Sequence, residues 1–262
     1  MKRSLSALCM ALALTTVATA HAESITSAQY TTPVTRYGHF ALGTPHEYAG
    51  LSVTTSAGRK LALQLPDDQV FEDLTPRLVR LVAGEPAEVL AIVSRRADGS
   101  RLVMVRVGPD GLVISAESPA VGTPNRWLNP VGVVDLDGDG RSEITAVTTP
   151  HIGGTLRVYQ RRGQQLVEVA SLPGFSNHVN GTLELGLSRP VVVDGRVRLL
   201  VPDAARLNLR ITALEGGKLV EVGRCALPAP VTDAIKVISP AVVSVGLVTG
   251  RRNVVLADCL RP

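Results

Sequence analysis

The sequence lacks the short motifs by which many enzyme active sites are recognised. It contains no G-x-S-x-G elbow, no H-E-x-x-H helix, no C-x-x-C pair and no glycine-rich phosphate loop. A catalytic site assembled from distant residues needs no local motif. These absences therefore favour a non-catalytic protein and leave an enzyme as the alternative.

Neither sign of charge dominates, and long apolar runs are missing after the N-terminus. The chain has 27 Lys and Arg residues against 23 Asp and Glu residues, scattered singly or in pairs. Nucleic-acid binding would require a basic patch, so no nucleic-acid partner is expected. No run beyond residue 22 is long and apolar enough to cross a bilayer, so we expect no transmembrane segment in the mature chain.

The first 22 residues have the pattern of a secretory signal. Lys2 and Arg3 precede an apolar core, and Ala20-His21-Ala22 forms a small-residue cleavage site before Glu23. We predict a signal peptide over residues 1–22 and a single mature domain over residues 23–262. The mature protein is then periplasmic or secreted.

Helical periodicity is also missing, whereas apolar hairpins recur. Each hairpin consists of two short apolar segments around a glycine turn, and the four copies begin at Leu51, Leu102, Leu156 and Leu209. The last two copies match at a constant offset of 53 residues. Three of these hairpins follow another apolar pair, and a fourth pair stands alone at the C-terminus. This pattern predicts an all-β protein.

The apolar pair at the C-terminus has no hairpin after it, and the hairpin at Leu51 has no apolar pair before it, so the two together make up one repeat. We predict a β-propeller of about four four-stranded blades, whose ring closes when the C-terminal strands pair with the N-terminal hairpin. The predicted blades are residues 70–118, 124–172, 178–226, and 237–260 combined with 46–66. The segment Tyr30 to Gly43 is strand-like and either adds to an edge or contributes to a fifth blade.

One stretch has the composition of a calcium loop. Asp135, Asp137 and Asp139 alternate before Gly140, and Glu143 follows where an apolar strand starts. Alternating carboxylates on a tight turn direct hard oxygens to one point, which suits calcium. The predicted ligands of this single site are the side chains of Asp135, Asp137, Asp139 and Glu143 and the backbone carbonyl of Arg141. The alternative is a polar turn that uses Asp and Gly only for their geometry.

This loop resembles the FG-GAP and VCBS repeats of integrin-like β-propellers. Further segments are similar to signatures of bacterial exported VCBS-repeat proteins: Arg36-Tyr37-Gly38-His39, Val70-Phe71-Glu72-Asp73, Asn125-Arg126-Trp127 and Asn177-His178. The similarity extends over most of residues 33–215. It implies fold, export and calcium, but no settled activity.

Two cysteines remain in the predicted mature chain, Cys225 and Cys259. An exported protein meets oxidising conditions, so the two are able to form a disulfide. Two separate buried thiols are the alternative, because spacing along the chain does not give the distance between them.

Loops that start each predicted blade place polar and aromatic residues on one face, opposite the calcium loop. The residues of this predicted ligand face are Arg77, Asn125, Arg126, Trp127, His151 and His178. We interpret the chain as an exported calcium-binding module that binds or scaffolds a protein or polysaccharide. The alternative function is a propeller-based hydrolase or lyase with a His and Arg site on this face. Pairing of the same residues between blades is a structural alternative to both.

Overall fold

A computed structural model describes residues 23–260, and the predicted signal peptide lies outside them. Nineteen strands and one short 3-10 helix at Leu256–Cys259 make up the described chain. The strands are β1 Ile25–Val34, β2 Glu47–Thr55, β3 Lys60–Gln64, β4 Gln69–Phe71, β5 Arg77–Val79, β6 Glu88–Arg95, β7 Gly99–Gly108, β8 Gly111–Glu117, β9 Leu128–Val134, β10 Glu143–Thr148, β11 Gly154–Arg162, β12 Gln165–Phe175, β13 Arg189–Val193, β14 Arg196–Pro202, β15 Asn208–Glu215, β16 Lys218–Ala226, β17 Val231–Ser239, β18 Val242–Leu247 and β19 Gly250–Val255. The predicted all-β class is confirmed.

The strands form five consecutive antiparallel groups, which we number 1 to 5. They are β1–β3, β4–β8, β9–β12, β13–β16 and β17–β19. In group 2, β4 and β5 both pair with β6 and are two halves of one interrupted strand. Groups 1 to 3 are joined into one twelve-stranded sheet, but the link between β8 and β12 is a single parallel bridge. Groups 4 and 5 are separate sheets.

Each group packs its face against the next group along the chain. Four apolar clusters lie between groups 1 and 2, 2 and 3, 3 and 4, and 4 and 5. Inner strands such as β10 are buried along their whole length because both faces of their sheet are covered. The core therefore consists of four apolar layers between the five groups.

The two end groups carry polar side chains on their outer faces. On group 5, the Arg251 guanidinium lies across the outer side and donates to Asp233 and Ser244. On group 1, Gln64 donates to the Thr32 hydroxyl at 3.0 Å above Gly50. Group 5 also exposes Val237, Ile238 and Val255, so its surface is not polar throughout.

The predicted closure by pairing of chain ends is not found. Within residues 23–260, β19 pairs with β18, and the partners of β2 are β1, β3 and β4. The physical reason lies in β1, which overlaps the predicted strand-like segment Tyr30 to Gly43 only at residues 30–34, and in β17, which the repeat pattern does not include. β1 occupies one edge of β2, and β17 occupies one edge of β18, so each end forms its own three-stranded group.

No helix among the described residues combines the length and the apolar character needed to cross a membrane.

Candidate functional site

The acidic loop connects β9 to β10 and folds through its own side chains. Gly138 and Gly140 have φ values of 82° and 85°, a region that glycine adopts without strain. The two carboxylate oxygens of Asp135 accept the backbone N–H groups of these glycines at 2.7 and 2.9 Å. Asp139 accepts the N–H of Arg141 at 2.7 Å. Such bonds order the loop whether or not a cation is bound.

Three of the four predicted side-chain ligands converge. Carboxylate oxygens of Asp135, Asp137 and Glu143 lie within 4.8 Å of one another, and those residues could hold a metal ion. Asp139 is outside this group. Close grouping of three acids is unfavourable without a counter-charge, so the geometry is compatible with a cation but also occurs in simple acidic turns.

Glu143 is the buried member of this group. It accepts the N–H of Leu136 at 2.8 Å and the side-chain amide of Gln160 at 3.2 Å. Burial raises the pKa of Glu143, the hydrogen bonds oppose this, and Asp137 and Asp139 raise it further. A bound cation would stabilise the carboxylate form instead.

Contacts on both sides hold the loop in place. Leu136 is buried in the core between groups 3 and 4. On the other side, the N–H of Ser142 donates to the carbonyl of Leu81 at 2.7 Å, and Arg141 forms a bridge with Val82. The loop therefore couples group 3 to both neighbouring groups.

Trp127, His151 and His178, three residues of the predicted ligand face, form one cluster. The Trp127 ring stacks on His151 at 6.0 Å between centroids and meets the edge of His178 at 4.9 Å. Its indole N–H donates to the backbone carbonyl of Glu72 at 2.9 Å. The cluster therefore joins groups 2, 3 and 4.

The two histidines are bonded to each other. His151 Nε2 lies 2.7 Å from His178 Nδ1, and His178 Nε2 lies 3.0 Å from the carbonyl of Thr182. Burial lowers the pKa of His151 from 6.5 to about 4, with a further contribution from His178. Burial also lowers the pKa of His178. Both rings are therefore neutral at pH 7.

The other predicted face residues lie apart from this cluster. Arg77 forms an ion pair with Asp73, whose side chain is fully buried and also accepts the Tyr30 hydroxyl at 3.1 Å. Asn125 is exposed, with a φ of 54°. Arg126 is half-buried; its guanidinium donates to the Asn125 carbonyl at 3.5 Å, and its backbone carbonyl accepts the N–H of Ser100 at 3.0 Å.

A second buried polar group was missed by the sequence analysis. Glu72 is 1% exposed and bonds His39 Nδ1 at 2.6 Å. Its other carboxylate oxygen accepts the hydroxyl groups of Ser94 and Ser100, at 2.5 and 3.2 Å. The available signal was an acid directly after the apolar pair Val70-Phe71, which predicts a buried carboxylate in need of partners.

The segment 36–47 lies between group 2 and the chain after β12. The N–H of Gly181 donates to the carbonyl of Ala41 at 2.8 Å, and Leu42 is buried in the core between groups 2 and 3. Beside it, a cavity of about 10 Å³ is lined in part by Phe40, Glu72 and Asp73. A single water molecule needs about 10–15 Å³ measured in this way, so this cavity has no room for a substrate.

Cys225 and Cys259 form a disulfide with a Cα–Cα distance of 4.9 Å. It joins β16 of group 4 to the helix that follows β19 of group 5. Next to it, Gly223 and Leu260 form an antiparallel bridge.

No protein-family model matches the chain. A comparison with curated proteins likewise finds no match.

Proposed function

We propose that the chain is an exported, calcium-stabilised binding or scaffolding module built from blade-like sheets in the manner of a β-propeller. The observation that carries this proposal is the convergence of Asp135, Asp137 and Glu143 at a loop held by core contacts on both sides. The five consecutively packed groups are compatible with propeller blades, although the described strands do not close a ring. The resemblance to FG-GAP and VCBS repeats supports the same interpretation.

The cluster around Trp127 favours a structural role for the predicted ligand face. His151 and His178 bond each other, and Trp127 bonds the chain of a neighbouring group. These hydrogen bonds use the polar atoms of the cluster to join neighbouring groups. The alternative of a hydrolase or lyase therefore gains no support from the geometry of this face.

The proposal extends to location and partner. The signal-like residues 1–22 support export to the periplasm or the exterior. A protein or polysaccharide is the proposed partner, and we propose no nucleic-acid partner. Calcium stiffens the sheet scaffold that presents the contact surface.

Thermal unfolding of the purified chain with calcium and with EGTA tests the metal site. We assume that calcium binds only the folded state. At a concentration a hundredfold above its dissociation constant, it then raises the free energy of unfolding by about 2.7 kcal/mol. For a chain of this size we expect the unfolding midpoint to rise by about 5 to 10 °C.

Asp137→Ala removes one converging carboxylate and should abolish most of this shift. The matched control is Asp68→Ala, because Asp68 is exposed just before β4, which pairs with the end of β6 opposite to the acidic loop. The control should keep the full calcium shift. An equal midpoint for the wild type in calcium and in EGTA would refute the calcium site.

A further inference from the structure

A cavity of about 460 Å³ lies beside the acidic loop. It is on a different part of the molecule from the Trp127 cluster, and its size is within the range of about 300–1,000 Å³ usual for small-molecule sites. Its lining comes from the start of the described chain, the 81–88 loop, the end of β7, the acidic loop and the β11–β12 hairpin. Sequence analysis had assigned no role to this combination.

The charged lining residues of the cavity are Glu23, Glu85, Glu88, Asp139, Glu143, Arg106, Arg141 and Arg161. Two of the acids are neutralised by arginines: Glu88 by Arg161 and Glu23 by Arg59. Glu85, Asp139 and Glu143 remain, opposed by the two other lining arginines. Together with Asp135 and Asp137, the two other converging carboxylates, the cavity and the loop have an excess of three negative charges without a cation, and bound Ca²⁺ reduces this excess to one.

Arg106 and Arg141 are the unneutralised cations of this cavity. Both are exposed, and neither has an acidic partner within 4.0 Å among the described residues. The Arg106 side chain contacts only the carbonyl of Val107, at 3.4 Å. Guanidinium groups bind carboxylates through two parallel hydrogen bonds, so the pair is suited to an anionic ligand.

The loop also leaves room in the coordination shell of calcium. Calcium takes six to eight oxygen ligands, whereas three carboxylates converge here and a backbone carbonyl would add one more. Glu143 and Arg141 belong both to the predicted calcium loop and to the cavity wall. An oxygen of a ligand in the cavity is therefore able to complete the shell.

We propose that this cavity binds an acidic sugar, a hexuronate unit, whose carboxylate is held by loop-bound calcium together with Arg106 and Arg141. The inference rests on the proposed calcium site. Leu81, Val82 and Pro86 provide an apolar surface for the C–H face of a sugar ring. Ser142 and Gln160 provide hydrogen-bonding groups for its hydroxyls.

Binding of the ligand then depends on calcium, since the calcium-free cavity repels a carboxylate. Linkage requires the converse as well, namely that the ligand tightens calcium binding by the same factor. A sugar without a carboxylate should not show this coupling.

Titration calorimetry of the purified chain with digalacturonate tests the inference, in fixed excess calcium and in EGTA. We expect saturable binding that weakens at least tenfold in EGTA and in Arg106→Ala. Arg252→Ala is the matched control, because this arginine is exposed on β19, far along the chain from the cavity. Galactobiose, the neutral disaccharide, and succinate, a carboxylate without a ring, are the control ligands.

The outcomes separate this inference from the calcium proposal. Absence of digalacturonate binding in a protein that keeps its calcium-dependent thermal shift overturns the sugar site alone. Binding that is equally tight in EGTA or in Arg106→Ala overturns it as well, and succinate binding as tightly as digalacturonate overturns the assignment to a sugar. Loss of both the thermal shift and the binding refutes calcium and the sugar site together.

Discussion

The hydrogen bonds of His151 and His178 determine which ring nitrogens carry protons. The Thr182 carbonyl only accepts, so His178 Nε2 must donate to it. His178 Nδ1 is then an acceptor, and the neutral pair is satisfied when His151 Nε2 donates. Protonation of His178 at Nδ1 would place two N–H groups opposite each other, whereas protonation of His151 at Nδ1 would keep the bond but put a charge on a largely buried ring.

This arrangement predicts a loss of stability in acid. The folded-state pKa of His151 is about 4, below its ordinary value of 6.5. As pH falls from 6.5 to 4, the unfolded chain takes up a proton that the folded chain excludes, so the free energy of unfolding decreases. Above pH 6.5 the penalty is absent, and below 4 it levels off. After allowance for partial exposure we expect about 1 to 2 kcal/mol.

Urea unfolding of the wild type and of His151→Gln at pH 7.5, 5.5 and 4.5, in EGTA, measures this effect. The wild type should lose more stability than the variant at each step down in pH. His46→Gln, outside the Trp127 cluster, is the control and should parallel the wild type. Parallel curves for His151→Gln and wild type would show that the histidine pair does not sense pH.

At the scale of elements, neighbouring sheets approach closely where glycine meets proline. A Cβ on Gly132 of β9 would lie 2.8 Å from both Cγ and Cδ of Pro190 in β13, and 3.8 Å from its Cβ. Only the ring atoms beyond Cβ create the conflict. The contact therefore sets the spacing between the first strands of groups 3 and 4.

Gly132→Ala should lower stability by about 1 to 3 kcal/mol, because it overpacks this contact. Pro190→Ala removes the two conflicting ring atoms and leaves the Cβ at an ordinary distance. The double variant should therefore lose less stability than the summed losses of the two single variants. We expect a difference of at least 0.5 kcal/mol in a double-mutant cycle measured by denaturant unfolding. Simple additivity would mean that the two strands do not touch as described.

Local pattern predicted most of these elements but not the ends of the molecule. The hairpins that begin at Leu51, Leu102, Leu156 and Leu209 are all present as pairs of adjacent strands. Only residues 30–34 of β1 were predicted as strand-like, because this strand is rich in Thr, Ser and Gln, and β17 was not predicted because Asp233 and Lys236 interrupt its apolar alternation. Edge strands bury little area, so their sequences carry a weak signal.

In the candidate site, likewise, the sequence predicted the local geometry but not the contacts between groups. Spacing alone indicated the converging positions of Asp135, Asp137 and Glu143, because the loop folds locally. The distance from Asp139 to that group, the pairing of His39 with Glu72 and the cavity beside the loop depend on contacts between sheets. Such contacts join residues far apart in sequence and have no local pattern.

At the scale of the whole molecule, the five groups form a series with two different ends. Each interior group is covered on both faces, whereas groups 1 and 5 are covered on one face. An end group loses half of the stabilising contact area of an interior group. Additional restraints are therefore most valuable at the ends, as in other repeat proteins.

The Cys225–Cys259 disulfide supplies such a restraint to group 5. It closes a loop of 34 residues that contains β17, β18 and β19. Constraining a loop of this length in the unfolded chain contributes roughly 3 to 4 kcal/mol. We expect the double variant Cys225→Ala/Cys259→Ala to lose about that much stability, and the reduced wild type to lose nearly as much.

Hydrogen exchange shows where this loss falls. Amides of β18 should exchange faster in the double variant, because group 5 is then attached only by one apolar cluster and a few hydrogen bonds among the described residues. Amides of β6, which is covered on both faces and lies three groups away, should keep their protection and serve as the internal control. An equal loss of protection in β6 and β18 would mean that the five groups unfold as one unit, and the disulfide would then stabilise the whole molecule instead of its C-terminal end.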